Sequence, residues 1–390
     1  MARWPRQILF GDVDAMFAAA AALADPSLAG KPVAVGGRPP RGIIAAASYA
    51  ARPYGVRSAM PTARALALCP HLVLVPPDRP LYQRLHEQMR RVTDRFFPAV
   101  EWTSIDEFYA DTTDLQTLHP DPMRLGQRVK DAITEATGLR CTIAIATSKP
   151  VAKIAADAHK PDGLAAIEPG AEAAFLAPRP AASLPGIGPK TAESLDRIGV
   201  RRIGDLLEPR LEPLLRRLWG TRLPLMQALA RGLDEEPVVP DRERKSLGHE
   251  TTFDHDTNDL GFLEQTLRGF LAELAHDLRL DGLAAGSFTV KLKDASHRLA
   301  TKQHRFPAPL NDDPAMWREI REALRGLVSP RTEYRLAGVT LGDLAPAAEG
   351  LFDRRRSKAL AAMDAIIEKH GARAIRLGGS PDDAEPPRAR

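Results

Sequence analysis

Cysteine is almost absent from this chain: Cys69 and Cys141 are the only two among 390 residues. Two thiols cannot build a disulfide framework or a four-thiolate metal site. Both lie among apolar neighbours, so buried free thiols in a reducing compartment are expected. Aromatic residues are scarce too, at 5%, which leaves Leu, Val, Ile and Ala to build the core. No apolar run reaches the ~18 residues of a membrane span. Arg3 and Arg6 before Ile8-Leu9-Phe10 outline a secretory leader, but Asp12 and Asp14 would sit inside its apolar region. A soluble cytoplasmic protein with no membrane partner is therefore expected. Charge of one sign is also lacking, since 54 Lys+Arg against 50 Asp+Glu leave +4. That balance permits a polyanionic partner without requiring one, because position matters more than the sum.

Apolar residues at 44% and charged residues at 27% exclude wholesale disorder, and the length predicts several domains. Proline is in excess, 34 residues where ~5% is usual. Gly36–Gly42 and Pro76–Pro80 read as loops, Gly232–Gly248 as an interdomain linker, and Gly378–Arg390 as a disordered tail. Before the linker, strands are expected at Gln7–Phe10, Val33–Val35, Ile43–Ala46 and Cys141–Ala146. Helices are expected at Met16–Ala24 and from Pro150 onward. After the linker, Leu263, Leu267, Phe270, Leu271, Leu274 and Leu278 share one helical face. Phe288, Val290 and Leu292 alternate with Thr289, Lys291 and Lys293 as a half-buried strand. A helix through Trp317, Ile320, Leu324 and Leu327 and a strand near Arg335–Leu341 complete a small α+β domain.

The acidic residues fall in patterns. Asp12-Val13-Asp14 ends an apolar strand, and Ser104-Ile105-Asp106-Glu107 precedes Phe108 and Tyr109. Carboxylates from distant strand ends repel unless a cation neutralises them. A hard divalent cation suits an acid cluster with no His or Cys at ligand spacing; solvated turns at strand ends are the alternative. Glu101 has no pattern around it and reads as a surface residue. Among basic residues, Tyr49 and Arg52 are three apart, hence neighbours if helical. Lys160-Pro161-Asp162-Gly163 ends a helix, with Gly163 as its expected left-handed stop; a surface lysine is the alternative. Leu184-Pro185-Gly186-Ile187-Gly188-Pro189-Lys190 fits a helix-hairpin-helix, whose backbone N–H groups and Lys190 could hold a DNA phosphate. An ordinary hairpin between helices competes with that reading. Lys291 and Lys293, with Arg298, Lys302 and Arg305 nearby, would make a basic sheet face for DNA backbone or simply a solvated one.

With these residues in place the chain resembles the Y-family of translesion DNA polymerases, and within it the DinB branch. The likeness runs from about Arg6 to Leu344 through FGDVDAMFA, SYAARPYGVRSAMP, SIDEFYAD, KIAADAHKPDG, LPGIGPKTAESL and RKSLGHETTF, in family order. It implies an α+β multidomain right-hand polymerase. The palm would be residues 1–20 and 72–167, the fingers 21–71, and the helix-hairpin-helix thumb 168–232. A linker, 233–247, an α+β little finger, 248–345, and a partly disordered C-terminal extension, 346–390, would follow. Asp12 and Asp106 would bridge two Mg²⁺ ions, with Glu107 completing one site and the Val13 carbonyl adding a ligand. Asp14 would support the site without binding metal. Phe17 falls on the position whose ring excludes a ribose 2′-hydroxyl, with a core Phe as the alternative. Tyr49, Arg52 and Lys160 match triphosphate contacts. Expected partners are primer-template DNA and dNTPs, for a protein working as a monomer. The sequence departs from the family pattern at Met16, Ala21, Ala50 and Phe108. The expected sliding-clamp peptide is reduced to Leu351-Phe352 without a Gln. Ser357–Arg376 reads as helical with no assigned role. A non-catalytic accessory subunit would lack the acids, and a helix-hairpin-helix glycosylase leaves them unexplained.

Overall fold

The computed structural model describes residues 3–240, 243–347, 360, 362–366 and 369–370. The chain divides into two compact units, Met1–Arg242 and Glu243–Arg390. The first opens with β1 (Ile8–Val13), buried along its whole length. Its sequence ILFGDV is apolar without interruption up to Asp12 because both faces of the strand are covered. Helix α1 (Met16–Ala24) follows at once, entered through Ala15 in the left-handed region at φ 49. A small sheet in the order β3-β2-β4 comes next, from β2 (Val33–Gly36), β3 (Ile44–Ala47) and β4 (Val73–Val75). Helix α2 (Thr62–Leu68) lies between its last two strands.

Five strands form the main sheet. After α3 (Arg79–Phe96) come β5 (Val100–Trp102), β6 (Glu107–Asp111), α4 (Pro122–Thr137), β7 (Cys141–Ala146), α5 (Lys149–His159) and β8 (Leu164–Ala166). The strand order is β5-β6-β1-β7-β8, with β1 antiparallel to both neighbours. The two-residue period of the strand sorts its side chains. Leu9 and Val13 join Phe108 and the inner faces of α3 and α4 (Met89, Val92, Val129, Ile133). Ile8 and Phe10 join Tyr109 and the face of α5 (Val151, Ala152, Ala155). By the same alternation Asp12 belongs to the α5 face, as does Glu107, which stands opposite it on β6. The α5 cluster extends into α6 (Glu172–Leu176), α7 (Pro189–Arg197), α8 (Glu212–Trp219) and α9 (Leu223–Ala230).

Glu101 is not on the surface. It stands opposite Tyr109 on β5, is 3% exposed, and accepts a hydrogen bond from Lys149 Nζ at 2.6 Å and from Val239 N–H at 2.9 Å. No sequence pattern marks it because its partner lies 48 residues away. Lys149 Nζ also donates to the Pro237 carbonyl at 2.6 Å, Ser148 Oγ to that of Gly232 at 2.8 Å, and the Arg6 guanidinium to those of Asp234 and Glu236. The stretch after α9 is thereby strapped to the main sheet. Both cysteines are buried and free.

The second unit is an antiparallel sheet, β11-β10-β12-β9, built from β9 (Ser246–Thr257), β10 (Leu283–Asp294), β11 (Leu299–Leu310) and β12 (Tyr334–Pro346). Helices α10 (Leu260–Leu280) and α11 (Asp313–Leu327) bury Leu263, Leu267, Leu271, Met316 and Ile320 against Phe288, Val290 and Leu292. Asp259 caps α10 by accepting from the N–H groups of Gly261 and Phe262. Residues 362–366 are helical, and Asp364 accepts from His276 and Arg279 of α10. Leu351-Phe352 lies outside the described residues. Among those described, no helix is long and apolar enough to cross a membrane.

Gly11 shows how tightly β1 is packed. A Cβ built there would meet the ring of Phe108, its cross-strand partner, at 2.4 Å. The larger residue after Glu107 is thus accommodated by the missing side chain on β1, and Phe108 fills the core. Gly11→Ala should destabilise the fold by about 1–3 kcal/mol through overpacking. Adding Phe108→Leu should restore part of the loss in urea unfolding; a simple sum of the two single effects would show that the contact is not the cause.

Candidate active site

Asp12, Asp106 and Glu107 are brought together by the β1–β6 pairing. Asp12 faces Glu107 directly, and Val13 N–H donates to the Asp106 carbonyl at 3.0 Å, closing the ladder at that end. Ser104 shapes the turn before β6: its hydroxyl donates to Asp106 Oδ1 at 2.6 Å and accepts from Glu107 N–H at 3.1 Å. His86 on α3 donates to the Ile105 carbonyl at 2.9 Å and fixes the same turn from behind.

Lysines on and just after α5 meet these acids. Lys149 and Lys153 are one turn apart on one side of the helix, and Lys160 is the extended residue that immediately follows it. Lys149 pairs with Glu101, Lys153 with Glu107 at 2.7 Å, and Lys160 with Asp12. Burial pushes the Asp12 carboxyl up to about 7. Lys160 opposes that shift, and the neighbouring Glu107 and Asp106 add to it. Burial works to lower Lys160, but the charge and hydrogen bond of Asp12, with Asp157 and Tyr49, together raise it.

Asp14 lies just past β1 and serves a different set. Its carboxylate accepts from Tyr49 OH at 3.1 Å, Thr142 Oγ1 at 3.1 Å and the Asp162 N–H at 2.7 Å. The Arg52 guanidinium stacks 3.8 Å over the Tyr49 ring. The two are neighbours as expected, but in a turn leading into a short 3₁₀ segment, Arg52–Tyr54, not in an α-helix. Gly163 is not the left-handed stop. Asp162 takes that conformation, at φ 55. Glycine is needed at 163 because a Cβ would come within 2.2 Å of the His159 carbonyl oxygen.

Phe17, half-buried on α1, stacks on Tyr82 with ring centroids 4.2 Å apart. Met16, by contrast, is fully buried in the α3–α4 core. Gly186, Gly188 and Lys190 are exposed on one turn, where Gly186 has φ +89 and nothing lies within 4 Å of a Cβ at Gly188. The expected leading helix of that hairpin is a single 3₁₀ turn, Ala181–Ser183, and the N-terminus of α7 carries no side-chain cap. In the second unit Lys291 and Lys293 lie on the face opposite Phe288, and Lys291 pairs with Glu250 at 2.6 Å.

Residues 11–157 match the impB/mucB/samB family, and residues 244–353 match that family's C-terminal domain. DNA polymerase IV of Halorhodospira halophila is 37% identical over 342 residues, covering 87% of this chain and 96% of the relative. A Y-family DNA polymerase chimera, Dbh-Dpo4(243-245)-Dbh, aligns at a TM-score of 0.79 and 26% identity. It covers 87% of this chain and all of the chimera. The insertion ternary complex of Dbh DNA polymerase aligns at 0.63 and 26% identity, with the same coverage. The chain belongs to the Y-family of DNA polymerases.

A Y-family polymerase requires a divalent cation, and the donors here suit one in kind: clustered carboxylates with no imidazole or thiolate among them. Among the described residues no three such groups already surround a cation position. The carboxylate oxygens are instead given to Lys153 and Lys160. These ammonium groups mark where positive charge is wanted. Lys153, Thr142, Asp162 and His86 were not singled out from the sequence. Lys153 was open to discovery through its spacing from Lys149 and Lys160; the other three carry no such signal.

The shift at Asp12 has a measurable consequence. Its carboxyl keeps a proton to about pH 7 in the folded protein but only to the ordinary 3.8 when unfolded. The folded state therefore binds more protons across that interval, and the metal-free protein loses stability as pH rises through it. A cation needing the ionised carboxylate offsets that loss. The rise in Tm on adding Mg²⁺ should be larger at about pH 8 than at about pH 6. Equal rises would place the cation away from Asp12.

Proposed function

We propose that the chain is a template-directed DNA polymerase of low fidelity that copies damaged DNA, joining dNTPs to a primer 3′-hydroxyl with two Mg²⁺ ions. The observation that carries this is the gathering of Asp12, Asp106 and Glu107 beside Asp14, which holds Tyr49 and the turn after Lys160. Asp12 and Asp106 would hold both ions, with Glu107 and the Val13 carbonyl as further ligands. Bound there, Mg²⁺ supplies charge neutralisation at the attacking hydroxyl and the leaving phosphate oxygen.

The chain's own residues then have two tasks. Carboxylates must be fixed before substrates arrive, which the β1–β6 register and the Ser104 turn accomplish. Cations and hydrogen-bond donors must meet the triphosphate, which would fall to Lys160 and Arg52 as cations and to the Tyr49 hydroxyl on exchanging Asp14 for a phosphate oxygen. Lys160, paired with Asp12, would meet a phosphate oxygen if that carboxylate were given to a cation. Phe17 would stand against the sugar and reject a 2′-hydroxyl. In this assignment residues 1–20 and 72–167 are the palm, 21–71 the fingers, 168–232 the thumb and 248–345 the little finger, joined by 233–247. The uncapped N-terminus of α7, with Gly186, Gly188 and Lys190, would hold duplex phosphates without reading sequence. Lys291 and Lys293 would contact the backbone from the little finger.

Primer extension tests the reading directly. Wild type should extend a primed template with Mg²⁺ and dNTPs, and Asp106→Ala should lower the rate by at least ~10²-fold. Extension by that variant at the wild-type rate would remove Asp106 from the site. Phe17→Ala should incorporate ribonucleotides roughly tenfold or more better than wild type, since one lost steric contact relaxes discrimination by that order. Unchanged sugar selectivity would leave Phe17 as a core residue stacked on Tyr82.

A further inference from the structure

Lys130 lies on α4, at a distance in sequence from every acid of the site, and is almost wholly buried, its side chain 7% exposed. Burying an ammonium is costly unless its donors are all used. Here they are spent on one turn: Lys130 Nζ donates to the carbonyls of Asp162 and Gly163 and stands 3.0 Å from the Asp162 carboxylate. The other oxygen of that carboxylate meets Arg140. The turn is gripped from its far side as well. Asp162 N–H donates to Asp14, and Gly163 N–H to Thr142 Oγ1 at 3.2 Å. Thr142 in turn donates to Asp14, whose carboxylate also takes Tyr49 OH. Lys160 is two residues before Asp162, and Arg52 is stacked on Tyr49. A continuous set of hydrogen bonds thus joins a buried lysine of α4 to Tyr49, with Arg52 stacked on that ring and Lys160 joined through the chain of the turn itself.

We propose that Lys130 is a positioning residue for the incoming nucleotide. By locking the Asp162–Gly163 turn, it keeps Lys160 and, through Asp14, Tyr49 and Arg52 in the arrangement that receives a triphosphate. This rests on the polymerase reading above, and it adds a residue that touches neither metal nor substrate. Asp106 and Glu107 are anchored independently, by the β1–β6 register and Ser104, and Asp12 shares that register although its carboxylate also meets Lys160. Loss of Lys130 should therefore act on nucleotide binding and leave the chemical step largely intact.

Steady-state primer extension with dNTP as the varied substrate separates the two. Lys130→Met should raise KM for dNTP roughly tenfold with kcat within about twofold of wild type. Lys130→Arg, whose guanidinium can donate to both carbonyls, should recover most of the loss. Affinity for primer-template DNA should not change in either variant. An unchanged KM in Lys130→Met overturns the inference. So does a fall in kcat at constant KM that follows a lowered Tm, the mark of a purely structural lysine. Should Lys130→Met fail to fold, Thr142→Val removes the opposite grip on the turn at nearly constant volume. It should raise KM for dNTP by a smaller factor, and a wild-type KM there overturns the inference equally. Absence of extension by wild type would overturn the polymerase reading itself and this inference with it.

Discussion

Carboxylates on the buried face of a central sheet are the constraint from which the rest of the first unit follows. Glu101, Glu107 and Asp12 stand on neighbouring strands, all on the side covered by α5. Two unit charges ~5 Å apart at an effective dielectric of ~20 repel by roughly 3 kcal/mol. No core of aliphatic side chains absorbs that. The helix that covers them answers with Lys149 and Lys153, and the residue that follows it with Lys160, each against its own acid. The apolar residues between those lysines, Val151, Ala152 and Ala155, pack on Ile8 and Phe10. One helix and the residue that follows it therefore both seal the sheet and neutralise it.

The three pairs have different roles because they differ in access. Lys149 and Glu101 are sealed, and both also bind backbone of the 237–239 stretch, so theirs is a structural pair. Lys153–Glu107 and Lys160–Asp12 are partly open, with side-chain exposures of 27–30% and 5–22%. An open pair can exchange its ammonium for another cation without leaving a buried charge uncompensated. The same acids can thus be stable in the free protein and available to a divalent ion.

Much of this was legible in the sequence where local pattern sets the structure. The alternation at 288–293 and the helical face of Leu263–Leu278 each carry a period that one conformation satisfies, while Cys141–Ala146, buried at every position, is marked as a strand by its short apolar run before the helix that starts near Pro150. The acid motifs announced themselves as charges at the ends of apolar strands. What stayed hidden was pairing across the fold. Glu101 looked like surface because its lysine is 48 residues away, and Lys130 was unremarkable because the carbonyls it satisfies are more than 30 residues on. Gly163 was misread for a related reason: a glycine can be demanded by φ or by close approach, and sequence does not distinguish them. The His159 carbonyl decides here for close approach, and the left-handed residue is its neighbour Asp162.

The division of labour along β1 explains why departures from the family pattern in this region leave the acids in place. Leu9, Gly11 and Val13 look toward α3 and α4, while Ile8, Phe10 and Asp12 look toward α5. Met16 and Phe108 both lie in the first cluster, and Phe108 lies over Gly11. Changes there are absorbed by volume exchange between neighbouring side chains, as large for small across one strand pair. The second face has no such freedom, because its contents are charges whose positions are set by register. A one-residue slip between β1 and β6 would turn Asp12 into the apolar cluster and Leu9 out of it. The core on one face thereby holds in register the carboxylates on the other.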